Sequence, residues 1–502
     1  MPLRSSAPSI ARVCAFSLAL AGALIDSASA NELAKPISQA LEQVQAVPGA
    51  FPAAAVVIVQ GEAEPWIQVR GHTRADGGEP ADADTRFYIA SQTKSFMGLL
   101  AAVLDRRGEL PLDTSLAEIW PGLRLPAPAD PHRITMADLL SHQEGLSTDT
   151  LNFLTAYVRD VPAAEYPSLL ATEVQVRSPG FRYANIGDLI YGAALEARTG
   201  RSWRDWMQAS LLQPLALEGA SPRSSMIDPR KIAWNHQWNG RAWRAFAPKP
   251  DALMHAAGGM LASPKAMARW MQLNLGLGAL PADVTADDFR RSLQPIAKAK
   301  LADGEIDCDG YSLGWYRCVY KEQEAFMHPG SYVGAVSVTV LVPSSKAGMS
   351  LMVASDSAME GLQLELMKAF IGLATGQTGE DVRLRRLVAD YPSRLETRIN
   401  KRLQAIAAAR AEADWGDWRW NPDAAQRQAC TGRFSDAVFG TMELGQEGSA
   451  WFARIGEMRL ALEPAQPGMF AATDGSFDEP EPLRCDAATG TVRWRGRDFR
   501  KP

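Results

Sequence analysis

The sequence predicts an α+β fold: an antiparallel sheet flanked by helices, with an all-helical insert and a small all-β module after it. Three observations support this prediction. Apolar, β-branched segments lie near both ends of the first 375 residues, at 51–60 and 334–342, and helical patterns fill the interval. This order favours a sheet in which the two terminal blocks pair, rather than repeated βαβ units. Residues 430–499 contain short strand-like segments and many turns, but no helical period.

The first thirty residues have the pattern of a secretory signal peptide. Arg4 and Arg12 provide a basic start, 13–25 is apolar, and an A-x-A cleavage motif ends at Ala30. We expect cleavage after Ala30; an uncleaved N-terminal anchor is the alternative. No later segment reaches the ~20 apolar residues that a membrane helix needs. The sequence therefore predicts a periplasmic or secreted protein without a membrane span after cleavage.

The elements of the main domain follow in order. A helix is expected at 31–47, and strands at 51–60 and 65–70 form a hairpin. The next helix carries Ser91 and ends near Gly108, which suits a helix C-terminus. The patterns then predict helices at 151–172, 187–199, 203–215 and 264–275, strands at 311–320, 334–342 and 348–355, and final helices at 359–374 and 381–413.

Composition limits the partners. A hydrophobic content of 46% and a charged content of 22% are ordinary for a globular protein. The net charge of −5 gives no reason to expect a nucleic acid or an anionic membrane as partner.

Four cysteines remain once Cys14 is lost with the signal peptide. An even number in an oxidising compartment suggests disulfides, and three connectivities are possible. We expect Cys308–Cys318 and Cys430–Cys485, because each pair lies within one predicted domain; four free thiols are the alternative. The sequence has no C-x-x-C and no H-E-x-x-H, so neither a metal site nor a cofactor is expected.

The central chemical feature is the S-x-x-K tetrad formed by Ser91 and Lys94 within the segment FYIASQTKSFMGL. Apolar residues on both sides predict a buried helix that begins here, and positions three apart share a helix face. A desolvated lysine has a lowered pKa and can take the proton of a serine hydroxyl. The helix N-terminus adds N–H groups where an oxyanion would form. Because the tetrad also occurs by chance, its assignment depends on the remaining sequence.

Two further segments carry polar residues that suit the same chemistry. Tyr183 and Asn185 form a Y-x-N triplet after a Pro-Gly turn, and His328-Pro329-Gly330-Ser331 precedes a strand-rich segment that begins at Val336. Each is weak alone, since a buried tyrosine is usually a core residue and a lone histidine is usually a polar loop residue.

In this order, the three elements resemble the serine β-lactamase and D-alanyl-D-alanine peptidase superfamily, in its class C-like branch with esterases and D-aminopeptidases. That branch carries S-x-x-K, then Y-x-N, then a K/H/W-x-G triad on a strand. The flanking segments ITMADLLSHQEGL, AAGGMLAS and YSLGW are also similar. The resemblance covers residues 31–374. The segment ACTGRFSDAVFGTMEL resembles the β-barrel or lipocalin-like appendage of D-aminopeptidase-type relatives.

The resemblance implies a β-lactamase-like catalytic domain at 31–375, a helical linker at 376–427 and a barrel-like domain at 428–502. It also implies an acyl-enzyme on Ser91. Lys94 and the Tyr183 phenol would share the proton transfers. We expect the Lys94 ammonium to depress the phenol pKa toward neutral pH.

The substrate-binding residues implied by the resemblance come from the second and third motifs. Asn185 would hydrogen-bond Lys94 and the substrate amide, and the backbone N–H groups of Ser91 and Ser331 would form the oxyanion hole. His328 and Gly330 supply the third motif, in which His328 takes the place of a cation.

Two departures from the family pattern bear on the substrate. His328 replaces the lysine of most β-lactamases and D,D-peptidases, and a histidine with a pKa of ~6.5 is mostly neutral at pH 7. It should bind a substrate carboxylate less strongly. Pro329 lacks a backbone N–H, so the edge of the pocket differs from the usual one wherever that donor is needed.

These features favour a secreted serine hydrolase that cleaves an amide bond in a small peptide. Its partner would be a small-molecule or short-peptide substrate. A carboxylesterase of the same fold, a β-lactamase and an acylated sensor without turnover are the alternatives. A G-x-S-x-G motif is absent from the sequence, which argues against an α/β-hydrolase.

Overall fold

The computed structural model describes residues 29–178, 180–302, 304–474 and 479–501. Apart from its last two residues, the predicted signal peptide lies outside these ranges. No helix within them is long and apolar enough to cross a bilayer. The α-helices are α1 (Ala30–Gln45), α2 (Thr93–Arg106), α3 (Leu116–Ile119), α4 (Met136–Leu140), α5 (Asp149–Phe153), α6 (Tyr166–Thr172), α7 (Ile186–Thr199), α8 (Trp203–Met207), α9 (Pro264–Asn274), α10 (Ala286–Leu293), α11 (Leu362–Ala374), α12 (Glu380–Arg410) and α13 (Ala424–Ala429).

Fifteen strands precede the C-terminal barrel within the described ranges. They are β1 (Ala53–Gln60), β2 (Trp66–Gly71), β3 (Phe87–Tyr88), β4 (Leu146–Ser147), β5 (Gln175–Val176), β6 (Ala220–Ser221), β7 (Asn235–Trp238), β8 (Trp243–Phe246), β9 (Leu261–Ala262), β10 (Ala297–Ala302), β11 (Ile306–Tyr311), β12 (Tyr316–Tyr320), β13 (Gln323–Tyr332), β14 (Ala335–Val342) and β15 (Ala347–Val353). The barrel consists of β16 (Gly432–Asp436), β17 (Gly440–Glu447), β18 (Ala450–Ile455), β19 (Met458–Gln466), β20 (Met469–Thr473), β21 (Glu481–Asp486), β22 (Thr491–Trp494) and β23 (Arg497–Arg500).

The main sheet has eight antiparallel strands in the order β10-β11-β12-β13-β14-β15-β1-β2. β1 pairs with β15 in a register that places Val57 opposite Ser350. The N-terminal hairpin and the later strands therefore meet in one sheet, which confirms the predicted pairing of the two terminal blocks and the α+β class.

Helices cover both faces of the main sheet. All eight residues of β1 are buried, because alternate side chains enter two different cores. Val57 and its neighbours at alternate positions join the core that contains α2 and α9. Val56 and its counterparts join the core that contains α1 and α11. This explains why the strand is continuously apolar rather than alternating.

The predicted strand at 311–320 is wrong, since the structure has two strands there. A turn between β11 and β12 contains Gly314 at φ +93°. A Cβ on Gly314 would lie 2.2 Å from the Lys94 carbonyl oxygen, so only glycine allows this close approach. The turn therefore packs directly on the first turn of α2.

The predicted helix at 151–172 is interrupted. A π-helical turn continues α5 over Leu154–Val158, and Arg159 is then extended before α6 begins at Tyr166. Pro162 accounts for the break, because proline lacks a helical donor and disfavours helix at the preceding residue.

The C-terminal module is a closed eight-stranded barrel, as β16 pairs with both β17 and β23. It packs against the interrupted helical segment. The Glu457 N–H donates to the Val158 carbonyl at 2.8 Å, and Arg159 donates to the Val438 carbonyl at 2.9 Å. The barrel is thus docked on the helical insert.

Both predicted disulfides are present. Cys308 and Cys318 face each other on β11 and β12. Cys430, next to α13, is joined to Cys485 on β21. Each bond links residues within one sheet or within the barrel region, as expected from the sequence.

Candidate active site

The serine of the S-x-x-K tetrad lies on a 3₁₀ turn, Ala90–Gln92, that leads directly into α2. The Ser337 hydroxyl on β14 donates to the Ile89 carbonyl at 2.9 Å and ties this turn to the main sheet. Ala90 has a φ of +47°, a left-handed conformation that is uncommon for residues other than glycine. A constrained backbone therefore precedes Ser91, whose side chain faces a cavity.

Lys94 lies one helical turn after Ser91 and is 1% exposed. Its Nζ donates to Ser91 Oγ at 3.4 Å, to Asn185 Oδ1 at 2.8 Å and to the Ala257 carbonyl at 2.7 Å. Burial lowers the pKa of Lys94, and the nearby Asp188 carboxylate opposes that shift. The structure thus brings together Ser91, Lys94 and Asn185 and favours an uncharged amine more than water would.

Tyr183 lies beside this pair. Lys94 Nζ is 5.0 Å from the centroid of its ring. Tyr183 is 37% exposed, yet its neighbours desolvate the phenol enough to raise its pKa. A hydrogen bond with Ser91 opposes the rise, and the charge of Asp188 adds to it. The direction is opposite to the depressed phenol pKa that was expected from Lys94, because desolvation is the largest influence on the phenol.

His328 lies inside β13, not before a strand, and its side chain is fully buried. Its Nδ1 is 2.7 Å from the Pro329 carbonyl oxygen, and its Nε2 is 3.1 Å from the Tyr311 hydroxyl. The same hydroxyl is 3.2 Å from His142 Nε2. Burial lowers the pKa of His328 to about 3. The His328 ring thus lies in a buried hydrogen-bond network behind Tyr183, and it is not among the described residues that line the cavity in front of Ser91.

Gly330 and Ser331 complete the third motif. A Cβ on Gly330 would lie 2.2 Å from the Ile89 carbonyl oxygen, so this glycine allows β13 to approach the Ser91 turn. Ser331 is exposed and lines the cavity. β12 pairs with β13 only as far as Met327 within the described chain. Pro329 therefore lies in a segment that pairs with β14 alone, where a missing N–H is tolerated.

The cavity in front of Ser91 has a volume of about 640 Å³. Much of its wall is aromatic and comes from Tyr88, Phe153, Tyr157 and Tyr332. Two guanidinium groups also reach it, Arg398 from α12 and Arg495 from the barrel. Both are ion-paired, Arg398 with Glu360 at 2.7 Å and Arg495 with Glu481.

Several residues of the site were not predicted. The Ala257 carbonyl binds Lys94, and Tyr311 and His142 form the network behind Tyr183. These three lie in the segments AAGGMLAS, YSLGW and ITMADLLSHQEGL, which the sequence resemblance included without a role. Asp188 was missed because it reads as an ordinary acidic residue in the first turn of α7. No group of three or more His, Cys, Asp or Glu residues in the described ranges could hold a metal ion.

Known proteins share both the sequence pattern and the fold. The Beta-lactamase family model matches residues 37–370. A Beta-lactamase of Escherichia coli (strain K12) is 27% identical over 316 residues, which cover 58% of this chain and 74% of that protein. Penicillin-binding protein 4 of Amycolatopsis lactamdurans is 26% identical over 319 residues, 61% of this chain and 80% of that protein.

Solved structures resemble the chain in fold. The octameric penicillin-binding protein homologue from Pyrococcus abyssi superposes with a TM-score of 0.58 at 15% identity, over 93% of this chain and 99% of that one. D-amino acid amidase from Ochrobactrum anthropi SV3 gives a TM-score of 0.55 at 17% identity, over 70% of this chain and 98% of that one. Because the family model spans most of its length, the chain belongs to the Beta-lactamase family of serine hydrolases.

Proposed function

We propose that this protein is a secreted serine hydrolase that cleaves an amide bond in a small peptide through an acyl-enzyme on Ser91. The observation that carries the proposal is the position of the Lys94 amine, 3.4 Å from Ser91 Oγ and buried behind it. A base in hydrogen-bond reach of a serine that faces a cavity is what nucleophilic catalysis needs. We assign the chemistry to the domain at residues 31–375. A helical linker at 376–427 connects this domain to the barrel domain at 428–502.

In the first step, neutral Lys94 takes the proton of Ser91 as Oγ bonds to the substrate carbonyl carbon. The backbone N–H groups of Ser91 and Ser331 stabilise the resulting oxyanion. The C–N bond then breaks, and Lys94 passes its proton to the leaving amine, either directly or through the Tyr183 hydroxyl. Water then attacks the ester carbonyl while Lys94 takes a proton from the water. The proton passes from Lys94 to Ser91 Oγ as the C–O bond of the ester breaks.

Two features of the cavity support an uncharged, apolar side chain in the acyl part of the substrate. The aromatic wall offers apolar surface next to Ser91. The neutral, buried His328 supplies no cation for a substrate carboxylate, and the guanidinium groups of Arg398 and Arg495 are ion-paired with carboxylates. We therefore expect a peptide with an aromatic or aliphatic residue on the acyl side to be a better substrate than one with a free carboxylate near the scissile bond.

A β-lactamase activity is the second candidate, because the sequence relatives at 26–27% identity are named Beta-lactamase and Penicillin-binding protein 4. Acylation of Ser91 by a β-lactam would use the same nucleophile and base. The absence of a cation at His328 makes this the weaker candidate, since penicillins carry a carboxylate.

Labelling with a fluorophosphonate probe tests the nucleophile. We expect the probe to modify Ser91 and expect Ser91→Ala to abolish the labelling. Ser95→Ala is the matched control, since Ser95 lies one turn further along α2 and donates to the Gln92 carbonyl at 2.8 Å. Persistent labelling of the Ser91→Ala variant would contradict the proposal.

A substrate panel tests the reaction class. We expect turnover of aminoacyl anilides, with D- and L-phenylalanyl and D- and L-alanyl forms compared, and little turnover of a chromogenic cephalosporin. Preferred turnover of nitrophenyl esters of graded chain length would instead identify an esterase. Preferred turnover of the cephalosporin would establish the second candidate. Acylation without turnover of any substrate would instead favour a sensor.

Secretion has its own test. The two disulfides support an oxidising compartment. We expect the mature protein, isolated from its native cell, to lack residues 1–30 by intact mass and to be found in the periplasm or medium. A full-length cytoplasmic product would overturn this part of the proposal.

A further inference from the structure

Asp188 is a buried acid that the proposed mechanism does not use. It lies in the first turn of α7, three residues after Asn185, whose Oδ1 accepts from Lys94 Nζ. Positions three apart share a helix face, so the carboxylate is on the side of α7 that faces the site. Asp188 is 1% exposed, and its Oδ2 has no hydrogen-bond partner among the described residues. A buried carboxylate oxygen without a donor is costly, which calls for a compensating charge.

The charge available to it is that of Lys94. The three acceptors of Nζ are a hydroxyl, an amide and a backbone carbonyl, all uncharged. Within the described ranges, no carboxylate forms an ion pair with this amine at 4 Å or less. Asp188 and Lys94 nevertheless act on each other electrostatically, in both directions. The lysine thus has neutral contacts and one acid at longer range.

The other titratable groups around Lys94 carry no charge near pH 7. Burial lowers the pKa of the three histidines that interact with it, His142, His255 and His328. The Tyr183 phenol has a raised pKa, and burial raises the pKa of Glu144, which interacts with Asp188, to about 8. Burial also raises the pKa of Asp188, to about 7, while the charge of Lys94 opposes that rise. Asp188 is therefore the acid of this group that gains its charge near neutral pH, next to Lys94.

We propose that Asp188 is a positioning residue that supplies the counter-charge of the Lys94 ammonium and sets the pH above which this amine accepts the Ser91 proton. This rests on the proposed function of Ser91 and Lys94. The two groups titrate as a pair: a charged Asp188 retains the proton on Lys94, and loss of that charge releases it at lower pH. A purely structural role is the competing explanation, since an acid in the first turn also stabilises a helix.

The test is the rate of Ser91 modification by a fluorophosphonate between pH 5 and pH 10, which requires no knowledge of the substrate. In the parent chain, we expect the rate to rise as Lys94 loses its proton. In Asp188→Asn, we expect the midpoint of that rise to move down by about one pH unit, as for removal of an opposite charge near a titrating group. Asp188→Glu should restore the parent midpoint. Glu196→Gln, an acid-to-amide change further along α7, should leave it unmoved.

A structural role and a counter-charge role give different results. An Asp188→Asn profile with the parent midpoint, whatever its height or the variant's melting temperature, overturns the inference. A parent chain that is not labelled on Ser91 at any pH overturns the proposed function instead. If Asp188→Asn does not fold, the ¹³Cε shift of Lys94 in the parent chain decides: a titration in two steps supports the pair, and a single step contradicts it.

Discussion

The region around Lys94 and the region around Lys249 lie behind the same cavity, and each buries an amine. Lys94 Nζ has three hydrogen-bond acceptors, whereas Lys249 Nζ has none among the described residues. Lys249 Nζ instead lies 4.4 Å from the ring centroid of Tyr332, a residue of the cavity wall. Burial lowers the pKa of both amines, that of Lys249 to about 7.

A lowered lysine pKa therefore does not by itself define a catalytic base. Desolvation acts on both side chains. What distinguishes Lys94 is the set of acceptors that fixes its amine next to a hydroxyl. Lys249 packs beside an aromatic ring, where a charge on its amine is costly, whereas three hydrogen bonds fix the position of the Lys94 amine. Substitutions at both lysines and at one acceptor of Lys94 can test this contrast.

The largest effect is expected on the reactivity of Ser91. Lys94→Met should slow fluorophosphonate labelling by about 10³-fold, within the range for loss of a general base. Lys249→Met, the same change at the lysine beside Tyr332, should leave the rate within about twofold, because the Lys249 amine has no hydrogen-bond partner among the described residues and so cannot act as the base. Labelling rates at pH 8, with circular dichroism to check folding, measure both. Equal losses in the two variants would remove the distinction.

The next effect is expected on stability. An unfolded lysine titrates near ~10.4, so between pH 7 and that value the unfolded chain binds more protons than the folded one. Stability should therefore rise with pH across this window. Lys249→Met should stabilise the protein by about 2 kcal/mol at pH 7, as when a buried charge is replaced by an apolar group. The gain should vanish near pH 10.5.

Urea denaturation at pH 7 and pH 10 checks this expectation. Lys298→Met, a change at an exposed position on β10, is the control and should alter neither value. Lys94→Met should not share the gain, since it leaves Asn185 Oδ1 and the Ala257 carbonyl without their donor. A gain of the same size for both buried lysines would show that the acceptors contribute nothing.

The smallest effect is expected for one of the acceptors. Asn185→Ala removes a hydrogen bond to a charged group, worth about 1.5 kcal/mol, and should slow Ser91 labelling about tenfold. Asn274→Ala is the control, because this buried amide donates to the Trp270 carbonyl rather than to the site. An unchanged rate in Asn185→Ala would mean that the lysine is positioned by Ala257 alone.

Much of the fold and part of the site followed from local patterns. Ser91 and Lys94 are one helical turn apart, so a helix period was enough to place them together. The continuous apolar pattern at 51–60 was enough to predict the strand that became β1. The disulfides were predicted correctly because each cysteine pair lies within one sheet or module.

Other features depend on tertiary packing that no local pattern reports. The contact of the Tyr311 hydroxyl with His328 requires the turn at Gly314 and the register of β11 to β13. Lys249 comes from a loop between β8 and α9, and nothing near it in sequence marks it as buried. The direction of the Tyr183 pKa shift has the same origin, because it depends on how much solvent the surrounding elements remove from the phenol.

The turn between β22 and β23 brings Arg495 to the cavity, with its guanidinium carbon 3.5 Å from the ring centroid of Phe153. This turn lies within the last ten residues of the chain. During synthesis, Ser91 and Lys94 leave the ribosome about four hundred residues before the wall of their own cavity is finished. The cavity therefore acquires its final shape only when the barrel has closed. Changes confined to one barrel turn can alter that shape without altering any residue of the Ser91 segment.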